Sequence, residues 1–399
     1  MNNSCAPLWR NQSAGAFHHR LQSGFSLIEL MVAMIISMLI MGAILTLFLD
    51  LTRANDEMAK TNTQIESGRF AIQLLQSDLA HAGFWNGYIP QFEDLTEDDI
   101  PGDVPAAVPD PCLAYASWNA AYITNLLGIP VQAYEQDGVP GSCAGVVANP
   151  QANTDVLLVR HAETCEPGMG NCEADTAGKL YFQTSFCEDD VEAYVLGTSG
   201  FTLHPRTTLP AGLASCADPA STLSAPKRRF ISSIYYIRNF SITAGDGIPT
   251  LMRSQFDLMG GTLAHQTAQA LIEGIEGFRV ELGVDSLSKT GAAVDYTAAI
   301  NWADPASRTI PTNRGDGSPD GDFVRCTTAS PCTVNTLANV VAVKLYVLVR
   351  SLTPTTGYTD TKTYNLGATT LGPFNDGFKR HVFSSTVRLV NISGRRETP

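Results

Sequence analysis

Residues Gly24 to Asp50 read GFSLIELMVAMIISMLIMGAILTLFLD, and the rest of the architecture follows from this segment. From Leu30 to Leu49 it contains twenty uncharged residues. A helix rises about 1.5 Å per residue, so this run is roughly 30 Å long, the thickness of a bilayer's hydrocarbon core. Glu29 stands at the front of the run, and a carboxylate near hydrocarbon normally has a partner. The segment therefore predicts a membrane-spanning helix that begins with one partnered acid.

Beyond Asp50 the sequence becomes amphipathic and stays free of proline up to residue 82. Apolar residues recur every seven positions, with a second row of small or apolar residues between them. The two rows are Met58, Ile65, Ile72 and Leu79, and Gly68, Leu75 and Ala82. Such a stripe predicts a helix that packs one face against another layer. With Gly83 as its C-cap, the pattern predicts one helix over residues 25–82, about 87 Å long.

The remainder of the chain has the pattern of strands separated by long loops. Runs of β-branched and aromatic residues predict strands at 155–160, 179–183, 191–196, 229–242, 250–253, 340–352 and 382–392. Residues 268–285 predict a short helix that runs into a strand. Residues 86–150 and 286–335 are rich in turn-forming residues and predict irregular surface loops. One long helix followed by antiparallel strands predicts an α+β fold, with a sheet on the striped half of the helix.

The motif Gly24-Phe25-Ser26-Leu27-Ile28-Glu29 resembles the class III signal of type IV pilins and type II secretion pseudopilins. The resemblance implies that a prepilin peptidase cuts after Gly24 and that the new terminus, Phe25, is N-methylated. It also implies that Glu29 pairs with the terminal amine of a neighbouring subunit during assembly. The alternatives are an ordinary signal anchor and a cleaved signal peptide. The second fits less well, because the apolar run is longer than a typical h-region.

Later segments resemble the PilW family of type IV pilus minor pilins. They are Asp78–Phe84, Leu271–Asp285, Val340–Ser351 and Phe383–Asn391. Without the leader the chain has 399 − 24 = 375 residues, which is longer than the similar pseudopilin J, whereas pseudopilin K typically lacks the glutamate. The resemblance implies a type IV pilin-like fold with four segments. These are a leader at 1–24, a transmembrane and filament-core half-helix at 25–50, an amphipathic half-helix at 51–83, and a β-rich periplasmic or extracellular domain at 84–399.

The implied function is that of a minor pilin, a structural protein rather than an enzyme. It would join other minor pilins and the major pilin in an inner-membrane complex that primes filament growth, and remain at the tip beneath an adhesin. Its further partners would be the prepilin peptidase and the assembly platform, and its functions would include twitching motility and adhesion. We expect a single-pass inner-membrane protein with a periplasmic C-terminal domain, and a pilus location after assembly. The alternatives are a type II secretion pseudopilin and a tip-located binding module that uses the long loops.

Eight cysteines follow the predicted leader, and an even number in an exported chain predicts disulfides. Proximity in sequence suggests the pairs Cys112–Cys143, Cys165–Cys172, Cys187–Cys216 and Cys326–Cys332. Zinc is the alternative, because His161 precedes Cys165 by four residues, but the chain has no C-x-x-C pair.

The net charge of the chain and a search for catalytic and ligand-binding motifs argue against several classes of function. The leader carries Arg10 and Arg20 and no acid, so the mature charge is −13 − 2 = −15, which argues against a general nucleic-acid surface. The sequence has no G-x-S-x-G, H-E-x-x-H, phosphate-loop or dinucleotide motif, and no cofactor is expected. A weak calcium candidate remains at Asp316, Ser318, Asp320 and Asp322. Thr327 stands where the loop needs its bidentate glutamate, so a solvated acidic turn is the favoured interpretation.

Overall fold

The computed structural model describes residues 24–205, 215–216 and 223–398. The predicted leader thus lies outside the described residues, apart from Gly24. A first compact unit ends at Met58 and a second begins at Ala59.

Helix α1 runs from Leu27 to His81, so the single long helix predicted over 25–82 is confirmed. Its buried residues are Gln64, Gly68, Ala71, Leu75 and Leu79. The buried face takes residues from both predicted rows, Gly68 and Leu75 from one and Leu79 from the other, whereas Met58 is 63% exposed. Gly83 follows the helix with φ +71°, the left-handed conformation of a C-terminal glycine.

The first sheet is antiparallel and has eight strands. In chain order they are β1 (Val131–Glu135), β2 (Asp155–Ala162), β3 (Tyr181–Thr184), β4 (Tyr194–Gly197), β5 (Lys227–Arg238), β6 (Thr250–Met259), β7 (Thr262–His265) and β8 (Gln269–Glu273). The main path is β1-β2-β5-β3-β4, and β6 pairs with β5, β7 and β8. Strand β5 is central because its β-branched and aromatic residues are buried over most of its length.

A second antiparallel sheet has the order β13-β10-β9, formed by β9 (Ile275–Val284), β10 (Val340–Arg350) and β13 (Arg380–Arg388). A small hairpin joins β11 (Tyr364–Leu366) to β12 (Thr369–Leu371). The other helices are α2 (Ala120–Gly128), α3 (Val334–Ala338) and α4 (Val390–Arg396). One core contains Leu75 of α1, Leu157 of β2, Val280 of β9 and Val343 of β10, so the second unit packs α1 with both sheets. The α+β prediction is confirmed.

Three local predictions are wrong. Residues 268–285 form two strands and no helix, because β8 pairs with β6 and β9 pairs with β10. The predicted loop 86–150 contains α2, which Asn119 caps by accepting a hydrogen bond from the backbone N–H of Tyr122, and β1, which pairs with β2. The last predicted strand ends at Arg388, and α4 occupies most of its remainder.

Candidate functional site: the two ends of helix α1

The N-terminus of α1 is closed by a reciprocal pair of hydrogen bonds. The backbone N–H of Ser26 donates to Oε2 of Glu29 over 2.9 Å, and the backbone N–H of Glu29 donates to Oγ of Ser26 over 3.3 Å. This is a capping box, in which a serine and a glutamate three residues later satisfy each other's free amides. The Ser-x-x-Glu spacing is visible in the sequence, so this role of Glu29 was predictable but was missed.

The residues at the predicted cleavage point are open to solvent in the described chain. Phe25 is 88% exposed, and a Cβ added to Gly24 would meet no atom within 4 Å. Packing therefore does not require glycine at position 24 or phenylalanine at position 25. Their proposed roles in cleavage and N-methylation remain predictions.

The apolar part of α1 is long and apolar enough to cross a membrane, judged by its length and composition. None of its most apolar 18-residue window is buried in the described chain. An apolar helix that lacks a protein partner needs lipid or other apolar helices around it.

In the second unit, α1 contacts the edge strand of the second sheet. The ring of Phe383 in β13 lies over Gly68, where an added Cβ would come 2.2 Å from Cε2 of the ring. Further along the helix, Nε2 of Gln76 donates to Oγ of Ser385 over 2.6 Å. A small residue at position 68 therefore allows the helix and β13 to approach closely.

Asp78 joins α1 to the first sheet. Its Oδ1 lies 2.9 Å from Nε2 of His161 in β2, and its Oδ2 accepts a hydrogen bond of 2.9 Å from the phenol of Tyr235 in β5. Burial, reinforced by Asp78, raises the pKa of Tyr235, so this phenol stays protonated and donates. The three residues lie far apart in sequence, so no local pattern predicts this contact.

The C-terminal end of α1 is bound by residues of α4. Nδ2 of Asn391 donates to the carbonyls of Ala80 and Ala82 over 3.1 and 3.3 Å, and Nη2 of Arg395 donates to that of Gly83 over 2.7 Å. These groups satisfy carbonyls that a helix end leaves free, and the cation lies at the negative end of the helix dipole.

Two buried carboxylates hold α4 in this position. Glu93 lies 2.8 Å from Arg395 and 3.3 Å from Arg396, and Asp285 lies 3.3 Å from Arg396. Glu93, Asp285 and Arg396 are at most 4% exposed. Burial raises the pKa of Asp285, and Arg396 opposes this rise. Helix α4 is therefore packed against the second unit's core, to which it contributes Ile392.

The cysteines form the four pairs that sequence proximity suggests. They are Cys112–Cys143, Cys165–Cys172, Cys187–Cys216 and Cys326–Cys332. Cys165 and Cys172 also lie near Glu163, but both sulfurs are used in the disulfide, so the zinc alternative that began from His161 is not supported. The cysteines themselves lie outside the regular strands, but Cys112–Cys143 encloses β1 and Cys187–Cys216 encloses β4.

The predicted calcium loop uses its acids for local hydrogen bonds. Oδ2 of Asp320 accepts from the backbone N–H groups of Ser286 and Leu287 over 2.7 Å each, and Oδ1 of Asp316 accepts from that of Ser318 over 3.0 Å. Among the described residues, two sets of three side chains place possible metal-ligand atoms within 4.8 Å of one another. Asp316, Asp320 and Asp322 belong to neither set. The geometry favours a hydrogen-bonded acidic turn over a calcium site.

Comparison with known proteins adds two matches. The family model of the type IV pilus-assembly protein W, PilW, matches residues 234–391. A second model, the prokaryotic N-terminal methylation motif, matches residues 19–45. This chain is a type IV pilin-like protein with a PilW domain. The resemblance seen in the sequence is confirmed, and a general role in the pilus assembly machinery, with membrane association, follows from it.

The PilW match covers the whole of the second sheet, together with β6–β8 and part of β5. A type IV-like pilin from Thermus thermophilus is similar in structure, with 14% identity over 62% of this chain and 87% of that one. Its TM-score is 0.25. A search of curated proteins gave no match.

Proposed function

We propose that this PilW-type chain is a minor pilin that helps to initiate type IV pilus assembly from the inner membrane and remains at the filament tip. The observation that carries the proposal is an unburied apolar helix directly behind a methylation motif, in a chain that also has a PilW domain. Such a helix is stable in a bilayer, and it leaves the bilayer without exposure to water only if other apolar helices surround it. A filament core provides that environment.

The N-terminal residues would make the contact between neighbouring subunits specific. Cleavage after Gly24 would free the amine of Phe25, and Glu29 of one subunit would pair with the ammonium of its neighbour. In the isolated chain one carboxylate oxygen of Glu29 accepts from Ser26, and a carboxylate has further acceptor sites for an ammonium group. The proposed partners are the other minor pilins, the major pilin, a tip adhesin, the prepilin peptidase and the assembly platform. Support of twitching motility and adhesion belongs to the same proposal.

The experiment that tests this proposal is an intact-mass and N-terminal analysis of the protein from membranes and from sheared surface filaments. We expect a mass that begins at N-methylated Phe25, in both fractions, at a low ratio to the major pilin. An uncut N-terminus confined to membranes would overturn the proposal and favour a plain membrane anchor. Processed protein that depends on secretion genes and is absent from pili would favour a type II secretion pseudopilin.

The second candidate function, a binding module at the tip, needs a test other than removal of the long loop. Deleting residues 86–150 would remove β1 and core residues such as Phe92 and Ile129, so loss of filaments would report misfolding. The aromatic residues of this loop are also part of the packing. Trp118, for example, lies 5.2 Å from Phe256 and 5.9 Å from Phe230, measured between ring centroids. Substitutions at exposed residues of the loop are the informative alternative.

A further inference from the structure

A cavity of about 530 Å³ opens in the second unit, outside the segment that matches PilW. It is formed by the segment 87–103 that follows α1, by α2, and by the turn between β3 and β4. Ligand sites in proteins commonly have volumes of about 300–1,000 Å³. The predicted leader, the helix and the PilW domain give this cavity no role.

Acidic rather than cationic side chains line the cavity, although Arg395 lies close to Tyr88 from outside the lining. The acids are Asp94, Glu97, Asp103 and Glu192, and the described lining residues include no Lys, Arg or His. Glu97 and Glu192 are exposed, and among the described residues neither carboxylate has a hydrogen-bond or ion-pair partner. Asp103 has a structural role, because it accepts hydrogen bonds from the backbone N–H groups of Gln91 and Phe92 over 2.7 and 3.1 Å. Two negative charges thus remain available to a ligand.

Two tyrosines complete the lining. Tyr88 and Tyr194 lie with ring centroids 4.7 Å apart, and Phe182 stacks on Tyr194 at 5.5 Å. Burial, and then Asp103, raises the pKa of both phenols, so the two rings stay neutral. Neutral tyrosine rings attract cations through their electron-rich faces. Acids and aromatic rings together favour a ligand that is both positively charged and organic.

We propose that this cavity binds a primary alkylammonium group, the chemistry of a lysine side chain or of a free diamine. A metal ion fits less well, since Ca²⁺ needs oxygens at about 2.3–2.6 Å from one point. In the described part of the chain, the cavity's acids are not among the groups of three whose ligand atoms lie within 4.8 Å of one another. A quaternary ammonium is the poorer match, because it has no N–H donor for the carboxylates.

The rim of the cavity suits the alkyl part of such a ligand. Ile89 lines the cavity and is 37% exposed. Long cationic side chains bury their methylene groups on apolar surface of this kind while their charged end remains polar. The inference does not depend on the proposed place of the chain in a pilus.

Calorimetric titration of the full chain in a neutral detergent tests the proposal. The probes are Nα-acetyl-lysine methylamide and putrescine, with Nα-acetyl-norleucine methylamide as the neutral analogue. We expect both amines to bind and the neutral analogue not to bind. The double variant Glu97→Gln/Glu192→Gln should weaken amine binding about five- to tenfold, the sum of two exposed ion pairs. The control Glu66→Gln/Asp322→Asn removes the same charge from exposed positions outside the cavity lining and should leave binding unchanged.

A second pair of variants tests the rings. Tyr194→Phe keeps the aromatic face and should bind the amines as the native chain does, whereas Tyr194→Leu should bind them severalfold more weakly. Thermal unfolding of each variant checks that the domain is intact. Tighter binding of the lysine derivative indicates a protein side chain as the natural ligand, and tighter binding of putrescine indicates a free amine. Absence of amine binding, displacement of the amines by equimolar Ca²⁺, stronger binding of choline, or equal binding by the glutamine variant would overturn the proposal.

Discussion

Glu29 combines two roles that different substitutions separate. Its carboxylate closes the helix by accepting from the N–H of Ser26, and in the proposed filament it pairs with the ammonium of a neighbour's Phe25. Glu29→Gln keeps an oxygen for the capping bond and loses the charge, whereas Glu29→Val loses both. Breaking one partner of a buried ion pair costs about 3–5 kcal/mol, so we expect both variants to be depleted from filaments.

Immunoblots of sheared filaments and of membranes measure the effect of the two Glu29 variants. Glu66→Gln, at an exposed position of the same helix, is the matched control. Normal incorporation of Glu29→Val would refute the ion pair, and normal incorporation of Glu29→Gln alone would reduce the role of Glu29 to helix capping.

The ring of Phe383 lies so close to position 68 that only glycine fits there without a shift of the ring. A Cβ at this position would lie 2.2–2.7 Å from three ring carbons, so Gly68→Ala should lower the free energy of unfolding by about 1–3 kcal/mol through overpacking. Gly394→Ala is the control, because this glycine also lies in a helix of the second unit and nothing lies within 4 Å of the added methyl group there. Chemical unfolding of the second unit, followed by tryptophan fluorescence, measures both. Equal stability of the two variants would contradict the close packing.

His265 makes folding sensitive to acid. It is 8% exposed, with Nε2 3.1 Å from Oγ of Ser232 and Nδ1 3.3 Å from Oγ of Ser254. Burial, and then the charge of Arg160, lowers its pKa to about 3. Below its ordinary pKa of about 6.5 the unfolded chain binds a proton that the folded chain does not, so stability falls by about 1.4 kcal/mol per pH unit. We expect His265→Gln to have a shallower loss of stability between pH 6.5 and 5 in denaturant titrations. Parallel curves for the two proteins would contradict this assignment.

Among the elements, α1 was the easiest to predict because each of its signals is local. Twenty uncharged residues, a seven-residue stripe and a terminal glycine are all visible in the sequence, and the observed bounds, Leu27–His81, differ from the prediction by two residues at one end and one at the other. The strongest strands, β5 and β10, were also predicted, because they are long, β-branched and bounded by turns. Their pairing partners were not, since register depends on contacts between distant residues.

The missed elements depend on tertiary contacts. Residues 268–273 have apolar spacing compatible with a helix, but β8 gains its hydrogen bonds from β6. Helix α4 spans seven residues, too few to be stable by propensity alone, and its contacts with the end of α1 come from about 300 residues away. The cysteine pairs were accessible because their partners lie close in sequence. The roles of Gly24, Phe25 and Glu29 follow from a short motif and remain predictions. The cavity was not, because three separate segments form it.

We expect helix α4 to stabilise the second unit by binding the C-terminal end of α1. Arg396→Ala would leave Glu93 with Arg395 as its remaining cation, and would leave the fully buried Asp285 without its ion pair. Removing one partner from a buried ion pair costs about 3–5 kcal/mol, so we expect a large fall in the unfolding midpoint. Arg308→Ala breaks a 2.9 Å pair with Asp98 in which both side chains are more than half exposed, and should cost about 1 kcal/mol or less. Similar losses in the two variants would show that α4 does not hold the core.

In the molecule as a whole, buried ion pairs join the two sheets despite the strongly acidic composition. Asp155 of β2 lies 3.1 Å from Arg279 of β9 and 2.6 Å from Arg325, in the segment that precedes the last disulfide. Asp155 is 1% exposed, and burial raises its pKa while the two arginines oppose the rise. Such clusters specify one arrangement of the layers, because a shifted arrangement would leave a buried charge without a partner.

The disulfides stabilise the folded protein by restricting the conformations of the unfolded chain. Their contributions to stability should therefore increase with the length of the loop that each one closes. Cys112 and Cys143 are separated by 31 residues, whereas Cys326 and Cys332 are separated by 6. Chain entropy predicts a stabilisation of about 4 kcal/mol for the first bond and about 2 kcal/mol for the second. Each pair has one cysteine that is at most 4% exposed, so the double alanine variants create comparable packing defects and serve as controls for each other. We expect Cys112→Ala/Cys143→Ala to unfold at the lower denaturant concentration, and both to fall below the native chain. Equal midpoints would mean that local packing, rather than restriction of the unfolded chain, determines what these bonds contribute.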